Sequence, residues 1–455
     1  MDKAQQLGTE SIGKLLIKFS VPAMIGMIVM ASYNIVDRIF VGQGVGALAL
    51  SGITVTFPLM LIGMGFGMLV GIGSTALVSI RLGEQKKDEA ELILGNAFTL
   101  SVIIGVALTI FGYLTLEPML ILFGAEGEVL VFAKQFADIF IFAALFQMIS
   151  FSLNYTIRGQ GDPKTAMATL IISAVINVIL NPIFIFVLHL GIRGSAYASV
   201  IAQFISAVWI LSYFFSKRSL LRLHFKNMKL NFRIVKGITS IGVSAFSMQI
   251  AGSVVMIIFN TELAQHGGNL AIAAMGIGNS IGMMILMPIF GLNQGVQPIL
   301  GYNYGAKQFD RVMKALKLAT IAATIICVSG FIVVNLFSTS IVMMFCHNDA
   351  KLLEIGSHGL RILLLMCPII GFQIISTSYF QAIGKPIHSL ILTLSRQVIF
   401  LIPLLLILPR YFQLEGVWMS APIADGVSST LAFIFLFFEI KRLTAKHEIQ
   451  KVIAG

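Results

Sequence analysis

The sequence predicts an all-α integral membrane protein with twelve transmembrane helices in two six-helix, pseudo-symmetric lobes. Three observations lead there. Of 455 residues, 57% are hydrophobic and only 11% charged, with a mean hydropathy of +0.93, whereas a water-soluble chain of this length needs far more polar surface. Apolar stretches of the length that crosses a bilayer, about 20 residues, recur along the whole chain. The second half of the sequence also repeats the first.

In order, the spans read as 15–41, 48–79, 91–116, 129–157, 165–189, 195–216, 234–263, 271–302, 312–345, 354–382, 387–409 and 416–440. Positive charge gathers at alternate ends of these helices. Lys3, Lys14 and Lys18 precede the first, and Arg81, Lys86 and Lys87 follow the second. Arg158 and Lys164 follow the fourth, and seven basic residues fill Lys217 to Lys236 after the sixth. Lys307, Arg311, Lys314 and Lys317 follow the eighth, Lys385 the tenth, and Lys441, Arg442, Lys446 and Lys451 the last. That places 24 basic residues on one side against Arg193, Lys351 and Arg410 on the other. Basic loops stay in the cytoplasm, so both termini are expected there. The net charge of +11 follows from this asymmetry. It argues for contact with anionic membrane lipid through the basic loop and against a nucleic-acid partner.

The repeat has an offset of roughly 222 to 226 residues. ALALSGI at Ala47 to Ile53 matches AIAAMGI at Ala271 to Ile277, and RLGEQKKD at Arg81 to Asp88 parallels YGAKQFD at Tyr304 to Asp310. QMISFS from Gln147 matches QIISTS from Gln373, and GDPK from Gly161 answers GKPI from Gly384. An even number of helices per copy means that both copies enter from one side, related by an axis along the membrane normal. The expected organisation is an N-terminal lobe over 1–216, a basic cytoplasmic linker over 217–236 and a C-terminal lobe over 237–455. Two such bundles facing each other suit alternating access.

Other classes find less support. The histidines are scattered, no Walker-type loop is present, and Cys327, Cys346 and Cys367 sit in apolar surroundings without metal-ligand spacing. They read as packing thiols. No small-residue cleavage site precedes Asp37, so the first helix is expected to remain. The chain reads as a non-enzyme with no cofactor, driven by an ion gradient of H⁺ or Na⁺ and working as a monomer.

An ionisable residue inside a span marks a functional site by default, and Asp37 is such a residue. At 1.5 Å per residue it lies roughly 28 Å from Lys18, while Asn177 and Asn181 lie roughly 20 and 26 Å from Lys164. Asn177 and Asn181 share a helix face, as do Tyr33 and Asp37, and Ser199 comes to a comparable depth. One carboxylate among amides and a hydroxyl can hold a proton or a Na⁺, because burial disfavours its charged form. The expected ion-coupling cluster is Asp37, Asn177, Asn181 and Ser199, with Asp37 the candidate Na⁺ ligand.

Polarizable methionines suit a cavity that accepts lipophilic cations of several shapes, although core packing or lipid exposure would also place them in spans. Met30, Met64, Met284 and Met287 are the candidates, with Tyr33 and Asn34 beside the carboxylate. Arg396 and Asp425 are either a structural ion pair inside the second lobe or a further cation or substrate contact. Arg38 is expected to snorkel to the outer interface, and Lys134, Asp138 and Arg361 to be solvated at outer ends. Pro22 and the glycines of Gly63 to Gly73 offer either bending points or close packing.

The run PAMIGMIVMASYNIVDRIFVG at Pro22 to Gly42, RGQGDP at Arg158 to Pro163, NVILNP at Asn177 to Pro182, Gly295 to Gly305 with Gln297-Pro298, and SRQVIFLIP at Ser395 to Pro403 together resemble the multidrug and toxic compound extrusion (MATE) family. The likeness is to its MepA-like and DinF-like bacterial branch and extends over nearly the whole chain. It implies a multi-pass exporter of the bacterial inner membrane that expels organic cations and other amphipathic drugs in exchange for H⁺ or Na⁺, with Gln297 near the substrate. Family members commonly carry an aspartate four residues after the asparagine matching Asn177, and here Asn181 stands in that place. Another branch has a glutamate in the middle of the seventh helix, where this chain has Gly252 and Ser253. The resemblance thus leaves Asp37 as the principal carboxylate. A lipid-linked precursor flippase of a related superfamily, or a passive channel, are the alternatives; the flippase requires a strongly basic cavity, and only Arg396 lies inside a span.

Overall fold

Long apolar runs punctuated by short turns build almost the entire molecule, and the computed structural model contains no strand among its described residues, 4–345 and 350–454, with side chains described to 448. Lys3, Cys346, His347 and the side chain of Lys451 lie outside them. A short helix α1 (Gln5–Thr9) leads into α2 (Ile12–Gly44), α3 (Ala47–Gly83), α4 (Lys87–Leu122), α5 (Gly127–Phe140) and α6 (Ala143–Gly159). Then come α7 (Pro163–Pro182), α8 (Ile192–Phe215), α9 (Phe232–Gly305), α10 (Phe309–Met343), α11 (Ala350–Leu363), α12 (Cys367–Ala382), α13 (Pro386–Leu394) and α14 (Ile402–Ala454). π-helical turns at Ile183–Val187 and Ser395–Leu401 extend α7 and join α13 to α14.

Eight of these helices are long and apolar enough to cross a membrane, and the bent pairs α5–α6 (58°) and α11–α12 (46°) bring the number to ten. Gly268 (φ 64°) breaks α9, and Gln413 (φ 50°) breaks the continuous stretch Pro386–Glu448 that α13, the π turn and α14 form, so each supplies two spans, and twelve result among the described residues. Local chemistry sets the ends. Pro163 and Pro386 open their helices at the first position, where a missing N–H costs nothing. Asp162 caps α7 by accepting from the Thr165 N–H at 3.2 Å, and Asn231 caps α9 by accepting from the Arg233 N–H at 3.0 Å.

The duplication extends to the backbone of the turns. Eight of the eleven left-handed residues described fall into four pairs: Gly46 with Gly268, Gln85 with Lys307, and Gly191 with Gln413, each 222 apart, and Gly161 with Gly384, 223 apart. Gln85 and Lys307 adopt positive φ without being glycine, which is uncommon, and both halves tolerate it at the same place.

The halves meet at the end that carries the basic loops. One core joins Leu15, Phe19, Val78 and Leu82 to Ile238, Leu292, Val296 and Leu300. Glycines let the helices close: a Cβ on Gly73 would lie 2.0 Å from the Ile238 carbonyl oxygen, and one on Gly242 would lie 1.8 Å from that of Leu69. The Gly63 to Gly73 stretch is therefore a packing surface here. Further from the basic end Phe66 meets Phe246, with ring centroids 4.7 Å apart, Gly65 faces Gln249, and Gln294 Nε2 donates to Met27 Sδ at 3.4 Å. Beyond them each half has its own core, Val41, Ala49, Ile53, Phe136 and Ile192 in one and Val255, Phe259, Leu405, Val417 and Trp418 in the other. The halves share a core at one end and part toward the other.

Helix α1 straps the closed end. Gln6 Nε2 donates to the Gly161 carbonyl at 2.8 Å, on the first half, and Leu7 is buried in the shared core. From the second half, Asn303 Nδ2 donates to the Leu7 carbonyl at 3.0 Å, and Arg311 Nη2 donates to those of Leu7 (2.9 Å) and Glu10 (2.6 Å). A hydrogen bond from Lys18 holds the Glu10 carboxyl below its ordinary value. Arg311→Ala strips these carbonyls of a charged donor, and we expect about 1–3 kcal/mol less stability, read as a lower Tm of the purified protein. An unchanged Tm would remove α1 from the list of elements that hold the seam.

Candidate functional site

Asp37 stands ten residues beyond Met27 on α2, about 15 Å further along the helix than the contact of Met27 with Gln294. It is half-buried, and its neighbours come from α7 and α8. Oδ1 accepts from Asn181 Nδ2 and from Ser195 Oγ at 2.8 Å. Asn181 Nδ2 also reaches Asn177 Oδ1 at 3.2 Å, and Asn177 Nδ2 donates to Ser199 Oγ at 3.1 Å. The result is one chain of neutral donors ending on one carboxylate. Helical spacing explains it, because Asn177 and Asn181 are four apart on α7, as are Ser195 and Ser199 on α8. The α7 and α8 partners of Asp37 belong to the same half, so the carboxylate can change its state without any contact from the other half.

Ser195, fully buried, was missed by sequence reasoning. It is the direct partner of Asp37, with Ser199 one turn behind, and its signal was the four-residue spacing to Ser199. Asn181 is also fully buried, and its Oδ1 has no partner. That vacant acceptor sits on the amide whose nitrogen serves Asp37. No ion pair to Asp37 is found among the described residues; adjacent Arg38 points away and stacks on Phe57, 5.9 Å from the ring centroid.

The other candidates are scattered over both halves. Tyr33 is half-buried one turn from Asp37, whereas Asn34 is exposed and donates to its own helix at the Met30 carbonyl, 2.7 Å away. Met30, Met64 and Met287 are partly covered, and Met284 is exposed. Gln297 lies buried near the closed end, with its Nε2 unpartnered, away from the Asp37 chain. Arg396 and Asp425 do meet, Nε to Oδ1 at 2.6 Å. Lys134 pairs with Glu117 at 2.6 Å, and Arg361 Nε donates to Ser338 Oγ at 2.7 Å. Cys327 and Cys367 are buried, free thiols. Arg158, grouped by sequence with the loop charges, is instead 4% exposed. It donates to Asn154 Oδ1 at 2.6 Å and to Gln294 Oε1 across the seam, with the Tyr155 ring 5.2 Å away.

Twelve spans in two lobes that part around a cleft, with a carboxylate on one wall, are the build of a two-lobe membrane transporter. The MatE family model matches residues 22–183 and 243–407, most of the chain, and the protein belongs to that family. The multidrug export protein MepA of Staphylococcus haemolyticus (strain JCSC1435) is 28% identical over 434 residues, 95% of either chain. Among solved structures, a MATE in the bent conformation superposes with a TM-score of 0.92 at 25% identity, over 98% of this chain and 99% of its own. An outward-facing multidrug resistance MATE family transporter of the MOP superfamily does so with 0.89 at 26% identity, over 97% and 98%.

Proposed function

We propose that the chain is a multidrug exporter of the bacterial inner membrane, working as a monomer, in which uptake of H⁺ or Na⁺ at Asp37 drives release of lipophilic organic cations by alternating access. One observation carries this: a half-buried carboxylate ends a chain of neutral donors on the wall of a cleft that is open at its level and closed below. The rocking bodies are 1–216 and 237–455, linked by 217–236. With the basic end in the cytoplasm, the conformation described is the outward-open one.

Charged Asp37 accepts from Asn181 and Ser195. A proton turns one of its oxygens into a donor, and the vacant Asn181 Oδ1 is the acceptor that state needs. Na⁺ would instead draw on oxygens, Asp37 Oδ, Asn181 Oδ1 and the serine hydroxyls, as hard cations do. Either ion neutralises the carboxylate: the proton turns one of its oxygens from acceptor to donor, and Na⁺ replaces hydrogen bonds toward α7 and α8 by coordination. Drug then leaves outward and the ion is delivered to the cytoplasm on return.

The test uses everted vesicles or proteoliposomes with pH and Na⁺ gradients imposed one at a time. Gradient-driven drug movement is expected with one of them, and movement down the drug's own gradient alone would favour a passive pore. Within the site, Ser195→Ala removes a direct donor to the carboxylate and should shift the ion concentration for half-maximal efflux about tenfold. Ser199→Ala, three hydrogen bonds away, should shift it less, and equal shifts would contradict the order of the chain. Asn177 and Asn181 variants should change ion dependence more than drug range.

A further inference from the structure

We propose that the second lobe holds a subsite for an oxyanion, the carboxylate of an amphipathic substrate, built on Arg396 and Asp425. It rests on the export reading above and adds to it the residues that would hold an anionic group of the cargo.

The pair is not arranged as a purely structural ion pair would be. Arginine and carboxylate normally engage by two parallel hydrogen bonds, whereas here Nε alone donates, at 2.6 Å, to Asp425 Oδ1. No other hydrogen bond or ion pair of the Arg396 guanidinium is found among the described residues, and neither Nη is sealed in. The Arg396 side chain is 28% exposed against 7% for Asp425. A guanidinium at this depth facing lipid is expensive, so its open side faces water inside the lobe. Nη1 and Nη2 are the two prongs that grip a carboxylate.

The backbone supports the same reading. Arg396 lies in the π-helical turn Ser395–Leu401, and such turns gather at functional sites because they widen the helix and turn out a side chain. By the 222–223 offset, Asn177 corresponds to positions 399–400, so Arg396 stands one turn nearer the basic end on the matching helix. Asp425 is on the helix that matches α8. The second lobe thus places a charged pair where the first places amides and hydroxyls. Behind the pair, Gln373 Oε1 is buried. Gln373 is tied to the pair, since its Nε2 donates to Ser428 Oγ at 2.8 Å and Ser428 Oγ donates to the Asp425 carbonyl at 3.2 Å. The two open Nη groups on a buried, anchored base fit a planar anion such as a carboxylate.

Rhodamine 110, a zwitterion, and rhodamine 123, its methyl ester and a cation, differ by the one group in question. Their Kd values are to be measured by fluorescence anisotropy on the full-length protein in phosphatidylcholine nanodiscs, where no anionic lipid competes. The wild type is expected to bind both. Arg396→Gln is expected to lower the preference for rhodamine 110 over rhodamine 123 by about tenfold, the loss of one charged hydrogen-bonding partner, with Arg396→Lys between the two. Because Arg396→Gln alone strands a buried carboxylate, the Arg396→Gln/Asp425→Asn double variant is measured too, with the same expected loss. A ratio that stays within about twofold of wild type in the double variant, or a wild type that does not bind rhodamine 110, overturns the proposal. Binding needs no gradient, so failure of ion-coupled export would show separately, as absent uphill transport with the ratio change intact.

Discussion

Asp37→Asn is expected to reduce uphill drug efflux to background while the protein still inserts and folds. The amide keeps an oxygen that can accept from Asn181 and Ser195 Oγ, so the helix contacts survive with at most about 1–2 kcal/mol lost. What disappears is the charge. Without it a proton has no base to bind and Na⁺ has no counter-ion, so the ion can no longer bias one conformation over the other, and a ligand without differential affinity shifts nothing. The contrast to measure is between uphill efflux under an imposed gradient and exchange of labelled for unlabelled drug at equilibrium. Efflux is lost and exchange persists. Unchanged uphill efflux in the Asn variant would sink the coupling scheme, whatever ion is used.

Gly242→Ala should open the basic end. The added Cβ would sit 1.8 Å from the Leu69 carbonyl oxygen, and Gly73→Ala makes the same demand 2.0 Å from that of Ile238. Backbone cannot yield as a side chain does, so the halves must separate, and overpacking of this kind costs about 1–3 kcal/mol. Placed on a two-state equilibrium, that is about a 5- to 150-fold shift away from the conformation described. Spin labels on Lys87→Cys and Lys307→Cys, with the native cysteines replaced, should report a longer-distance population, and efflux should fall. Gly52→Ala is the control, since its Cβ would press on Ala133 within one half. It should lower stability without moving the labels. Identical distances in all three proteins would mean that the seam is not what sets the conformation.

Much of this architecture was legible in the residues. Apolar length located the spans and the repeat paired them, because both are properties of local sequence that lipid leaves little freedom to reinterpret. Asp37, Asn177, Asn181 and Ser199 were found by depth and helical spacing, and the structure brings these four together. Ser195 was not found, because a serine in a span is equally at home bonded to its own backbone, and only the rotation of α8 against α2 decides. Arg158 was taken with the loop charges, since its place at the end of α6 gives no hint that Gln294 from the other half covers it. Whether Gln297 faces the seam or the cleft is likewise set by how two rigid bodies dock, which no helix encodes alone. For Arg396 and Asp425 the sequence left an ion pair and a cation or substrate contact both open, with a mismatch in depth of roughly 10 Å, and the two side chains do meet.

The paired left-handed turns make the molecule divisible. Gly161 and Gly384 open the fifth helix of each lobe, and Gly191 and Gln413 close it, so the chain arrives and departs with matching geometry at both places. A chimaera that transplants 162–190 into the span between 384 and 413 keeps both joints and has one extra residue to absorb within the helix. The amides of the ion chain can in this way be carried to the opposite wall, and a duplicated exporter becomes a system for asking how many of its walls must sense the ion.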